Sequence, residues 1–150
     1  MMNLALQFVL AMFATCGFCI IFRVPVKKII WCMIIGGFGW IAYQIGLFYG
    51  NSPAVSCFFG SCVVGVLSNL ASKFIKEAST IFIIPSIICL VPGSNIYYTM
   101  ESLIHEETGQ FASPVTTTLL MAGMIAAGLL ITGSIIQMIR SLARRTLKAR

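Results

Sequence analysis

Apolar residues in this chain come in runs of about 20, the length of helix that crosses roughly 30 Å of hydrocarbon, separated by short polar breaks. Such runs occupy 3–22, 29–48, 53–70 and 114–139. A further stretch at 80–100 is apolar enough to enter a bilayer but is interrupted. From Ile83 to Met100 it reads IIPSIICLVPGSNIYYTM, with Pro85, a Pro92-Gly93 pair, Ser94, Asn95, Tyr97 and Tyr98. The pattern predicts an all-α integral membrane protein with five transmembrane helices, the fourth broken at Pro92-Gly93. Its spans, at about 3–22, 29–48, 53–70, 80–100 and 114–139, form a single transmembrane domain.

The interruption has a specific physical meaning. Thr80 to Val91 is long enough, as helix, to rise about 18 Å, a little over half the hydrocarbon thickness, so the break is expected near the midplane. Pro85 and Pro92 cannot donate to the preceding turn, and a residue before proline is pushed out of helical geometry. Gly93 permits a left-handed or extended turn, and Ser94 is a natural N-cap for a second half-helix. Two half-helices meeting in hydrocarbon leave unpaired carbonyls on one and unpaired N–H groups on the other. Each must be met by protein, water or a solute. The positive end of the second half-helix also favours an anion. Candidate substrate contacts are therefore Pro92, Gly93, Ser94, Asn95, Tyr97 and Tyr98, with Pro85, Pro92 and Gly93 as the structural break. A kink answered only by neighbouring helices is the plainer alternative.

Composition supports the membrane reading and charge adds an orientation. Of 150 residues, 59% are hydrophobic and 9% charged, and the mean hydropathy is +0.98, too apolar for one soluble core. The ten basic residues fall at Arg23, Lys27 and Lys28, at Lys73 and Lys76, and at Arg140, Arg144, Arg145, Lys148 and Arg150. The loops near residues 49–52 and 101–113 carry none, and the latter holds three of the four acids. Five crossings with the N-terminus outside and the C-terminus cytoplasmic put every basic loop inside. The first run lacks the basic n-region and cleavage site of a signal peptide and reads as a retained helix. The net charge of +6 then serves topology and anionic-lipid contact, and nucleic acid is not an expected partner.

Five of the six cysteines fall inside spans, and Cys16-x-x-Cys19 lacks the setting of a redox motif, so they read as packing residues. No catalytic centre, metal site or cofactor is expected. Ser94 and His105 are about 16 Å apart along a helix, too far to share a proton. Small residues recur at four-residue spacing, at Gly46/Gly50, Ser56/Gly60, Ser61/Gly65, Gly123/Ala127 and Gly128/Thr132, which lets helices approach closely in lipid. Gly36, Gly37 and Gly39 read as a locally loose stretch. Ser113 and Pro114 read as cap and first residue of the last helix. Thr116, Thr117 and Thr118 bond their own backbone or line an outer mouth.

Phe22-Arg23-Val24-Pro25-Val26, Ile30-Trp31-Cys32 with Gly36 and Gly37, and above all Pro85 followed by Leu90-Val91-Pro92-Gly93-Ser94 and Tyr97 resemble the threonine/serine exporter (ThrE) family. The resemblance is to its short subunits, which correspond to the membrane-embedded C-terminal half of the fused exporters. It covers nearly the whole chain. It implies a cell-membrane exporter of small polar metabolites, threonine and serine or a dicarboxylate such as succinate, working with a larger membrane subunit and open to higher oligomers. Those substrates share a carboxylate, which a half-helix N-terminus suits. No Asp, Glu, Lys, Arg or His lies mid-span, so the residues for amino-group recognition or proton coupling are expected from the partner. Glu101 and His105 are the local candidates, beside a reading of Glu101, His105, Glu106 and Glu107 as a solvated face. The alternative role is a structural or gating subunit that does not contact substrate.

Overall fold

The computed structural model describes residues 3–91, 93–104 and 112–148. Within these, the side chains of residues 94, 95, 99, 102–104, 112–114 and 142–148 are outside the description. Pro92, His105, Glu106, Glu107 and Arg150 lie outside the described residues.

Among the described residues six helices follow one another: α1 (Leu4–Ile21), α2 (Val26–Phe48), α3 (Pro53–Ile75), α4 (Thr80–Ile87), α5 (Gly93–Ile104) and α6 (Ala112–Lys148). A 3₁₀ turn, Ile88–Leu90, extends α4. The described residues contain no strand. Helices α1, α2 and α3 and the stretch Val115–Ser141 of α6 are long and apolar enough to cross a membrane, and Thr80–Leu90 is a shorter apolar helix. Helix boundaries follow local chemistry. Ser52 caps α3 by accepting from the Val55 amide at 3.4 Å, with Pro53 in the first position. Pro25, extended at ψ 133°, starts α2 three residues ahead of the apolar run and so brings Lys27 and Lys28 into its first turn. Helix α6 starts at Ala112, one residue ahead of the expected cap Ser113.

The ends of α1 and α3 share a device. Arg23 (φ 52°) and Lys76 (φ 58°) adopt the left-handed conformation just past the helix. The amides of the next residues reach back, Val24 to the Cys19 carbonyl at 3.0 Å and Glu77 to the Ser72 carbonyl at 3.2 Å. This is the Schellman closure, usually made with glycine. A Lys28–Glu77 ion pair of 2.8 Å joins these two basic turns at one end of the bundle.

Small residues set the helix contacts. A Cβ on Gly36 would strike Thr15 Oγ1, one on Gly37 would meet Phe8, and one on Gly39 would strike Val64. The stretch that reads as loose is therefore the place where α2 is gripped by α1 and α3. Gly46 faces Ser56, and Gly65 and Gly128 face Thr132 and Ser61, so the Ser61/Gly65 row packs against the Gly128/Thr132 row. Arg140 of α6 donates to the Asn69 carbonyl of α3 at 3.3 Å. Contacts that advance together, Ser61 with Gly128, Gly65 with Thr132 and Asn69 with Arg140, mean that α3 and α6 run parallel. Neighbours α1 and α2, and α2 and α3, are antiparallel. The buried core gathers Cys19, Cys32, Ile35, Val64, Ala71, Phe82 and Leu90 between α1, α2, α3 and α4.

Candidate functional site

The chain does break after Leu90, but Pro85 is not part of the break. Helix α4 continues through Pro85, which is buried. The carbonyl that a residue at 85 would ordinarily satisfy is that of Ile81, one turn back. It receives the Cys32 thiol instead, at 3.8 Å. Ser86 donates to the Cys32 carbonyl at 3.0 Å, fastening α4 to α2 a second time. The last turn tightens to 3₁₀, and Val91 turns out of the helix at φ −63°, ψ 129°, its amide on the Ile88 carbonyl. That is the extended geometry proline imposes on the residue before it. The Leu90 carbonyl accepts from the Cys57 thiol at 3.9 Å, and the Leu90 side chain fills the space left by Gly39 and Gly60. Both contacts lie within the length of the neighbouring helices, just past the midpoint of α2 and toward the N-terminal end of α3. Helix α5 already begins at Gly93, whose φ is not left-handed. Val91 has already left the helix, and Ser94 sits inside the first turn of α5, not ahead of it.

A cavity of about 360 Å³ opens beside the end of this segment. Its walls are Gln7, Leu10, Ala11 and Ala14 of α1, Trp40 and Gln44 of α2, and Cys89. Next to it Thr15, wholly buried, donates to the Ala11 carbonyl at 2.8 Å and lies 3.0 Å from Cys89 Sγ. Trp40 Nε1 donates to Gln7 Oε1 at 3.4 Å, which fixes one carboxamide on the wall. A second cavity of about 600 Å³, lined by Asn3, Leu4, Gln7, Gln44, Ile45, Leu47 and Phe48, shares both glutamines. Neither lining contains a charged side chain. Carboxamides supply donors and acceptors together, so this cleft can bind a small polar solute without a buried formal charge.

The family model for the threonine/serine exporter, ThrE, matches residues 7–135, from Gln7 through most of α6. The chain belongs to the threonine/serine exporter family. Members are transporters, not enzymes, and the apolar helices make this one a multi-pass membrane protein. No solved structure matches the chain.

In this exporter-family chain the residues expected at the site are placed as follows. Pro92 and the side chains of Ser94 and Asn95 lie outside the description. Gly93 has open space around it. Tyr97 and Tyr98 stack edge to face at 5.7 Å and are exposed on α5, which packs against α6; Glu101 is exposed as well. Cys89 and Leu90, by contrast, are held by α1, α2 and α3. The two halves of the broken segment therefore rest on different parts of the bundle. From sequence Trp40 reads as an interfacial or packing aromatic and Cys89 as a packing residue, and Gln7 and Gln44 are not singled out. The signal is that Gln7 and Gln44, like Gln137 in the last run, are glutamines inside otherwise apolar runs, each costly in hydrocarbon unless it faces a cavity or a partner.

Proposed function

We propose that this chain is the short subunit of an exporter of small carboxylate-bearing metabolites, threonine and serine or a dicarboxylate such as succinate. It acts with a larger membrane subunit of the same family. The reading includes one transmembrane domain of five crossings in the cell membrane, N-terminus outside and C-terminus cytoplasmic, with α4 and α5 making the fourth crossing between them. The parallel run of α3 and α6 supports that count, since the intervening chain has to return across the thickness of the bundle. Substrate contacts are assigned to Pro92, Gly93, Ser94, Asn95, Tyr97 and Tyr98, and we add Gln7 and Gln44. The observation that carries the reading is the position of Cys89, two residues before the bend at Val91 and in the wall of the largely apolar cavity that Gln7 and Gln44 also line. The absence of mid-span ionisable residues leaves energy coupling to the partner.

The test is transport in vesicles holding this chain with and without the larger subunit, over a panel of amino acids and dicarboxylates. Gln44→Leu should lower export about tenfold or more, the scale of one lost charge-assisted hydrogen bond, and Gly93→Leu, which fills the open space at the break, should lower it as well, with assembly kept in both. Export at the unaltered rate in both variants would sink the reading. A second reading, a structural or gating subunit, is favoured by the carbonyls of Ile81 and Leu90 being met within the chain. Full transport by the partner alone would establish it.

A further inference from the structure

At the end of the bundle where the basic turns lie, a cavity of about 300 Å³ sits between the α1–α2 turn and α4. Arg23 and Pro25 line one side, and Thr80, Ile84 and Pro85 the other. Arg23 is exposed and held at φ 52°, a conformation that glycine adopts freely and a residue with a Cβ does not. The position thus takes an arginine against its backbone preference. Its guanidinium has no ion-pair partner among the described residues, and the acid of this end, Glu77, is engaged by Lys28 at 2.8 Å. Apart from Thr80 the facing wall is apolar, a low-dielectric surface that directs the field of the solvent-exposed charge along the cleft. The planar donor fork of arginine matches an oxyanion in two-point geometry, and the Thr80 hydroxyl is a further donor across the gap.

We infer that Arg23 and Thr80 form a binding site for an oxyanion, a carboxylate or a phosphate, at this end of the bundle. On the orientation proposed above this is the cytoplasmic mouth, and the site meets a carboxylate solute before it crosses. A lipid phosphate would present the same chemistry. The site is distinct from the Gln7–Gln44 cleft and uses none of its residues.

The experiment titrates the purified full chain with succinate in maltoside micelles free of phospholipid, and repeats this with phosphatidylglycerol added. The readout is the ¹⁵Nε resonance of Arg23, assigned by its loss in Arg23→Gly, together with the backbone amide of the adjacent Val24, which is retained in every variant and reports binding where Arg23 is replaced. Arg23→Gly suits the left-handed backbone, so it removes the fork without forcing a refold, and its unfolding temperature checks this. Saturable shifts with succinate, weakened severalfold in Thr80→Val and about tenfold in Arg23→Lys, which keeps the charge but loses the fork, support the site. Saturation by phosphatidylglycerol that displaces succinate assigns the occupant to lipid. No saturable shift with either anion, or the same affinities in Thr80→Val and Arg23→Lys, overturns the inference. Binding is read without transport, so a failure of the export reading leaves this result standing. In vesicles that do export, Arg23→Gly should raise the half-saturating internal concentration with the maximal rate kept.

Discussion

A thiol is a weak hydrogen-bond donor, yet in hydrocarbon even a weak donor matters, because an unmet carbonyl there costs several kcal/mol. Four cysteines of this chain are used so. Cys32 meets Ile81, Cys57 meets Leu90, Cys62 meets Gly128 and Cys89 meets Ala11, each at a backbone carbonyl. The first of these is tied to a proline, since Pro85 removes the amide that Ile81 would otherwise receive. Cys32→Ala should therefore destabilise the chain by about 1 kcal/mol in detergent unfolding. In a Pro85→Ala background, where residue 85 regains its donor, the same change should cost about 0.5 kcal/mol less. Equal costs in the two backgrounds would reject the pairing. Cys32 also fills space in the core, but that contribution is common to both arms and cancels.

At the scale of elements, close approach is what the small residues provide, and it distinguishes glycines that look alike in sequence. Gly39 lies against Val64, which is wholly buried and stiff at χ1, while Gly123 faces open space. Gly39→Ala should lower stability by about 1–3 kcal/mol, the usual cost of overpacking, and Gly123→Ala should leave it unchanged or slightly higher. Thermal unfolding of the two variants side by side measures the difference. The spacing of Ser61/Gly65 and Gly128/Thr132 was legible as two packing rows, and the apolar runs as spans. Which row meets which was not, because four-residue spacing describes one helix and says nothing of its partner. Pro85 reads as a helix breaker, but so near the end of a short helix it orphans a carbonyl that the neighbouring Cys32 can meet. Gln7 and Gln44 lie 37 positions apart and form one wall only because α1 and α2 pack antiparallel. A pattern read along the chain does not contain that meeting.

At the scale of the whole molecule, the arrangement of charge and the direction of helices make one joint claim. Lys28 and Glu77 join the turns before α2 and after α3 at one end, so α4 sets out from that end. Helix α6 runs parallel to α3 and carries Arg140 toward the same end. If α4 and α5 together cross the bilayer, the termini lie on opposite sides; if the pair turns back, they lie on the same side. Asn3→Cys, Ser52→Cys, Ala78→Cys and Lys148→Cys distinguish these with a membrane-impermeant maleimide, the unaltered chain serving as blank for its native thiols. Asn3→Cys and Ser52→Cys should label in intact cells, and Ala78→Cys and Lys148→Cys only after the membrane is opened. Labelling of Asn3→Cys and Lys148→Cys from the same side would remove the fourth crossing, and with it the parallel run of α3 and α6. The Gln7–Gln44 cleft would still stand within α1 and α2, but the break beside it would then be a hairpin turn instead of a point on a path across the membrane.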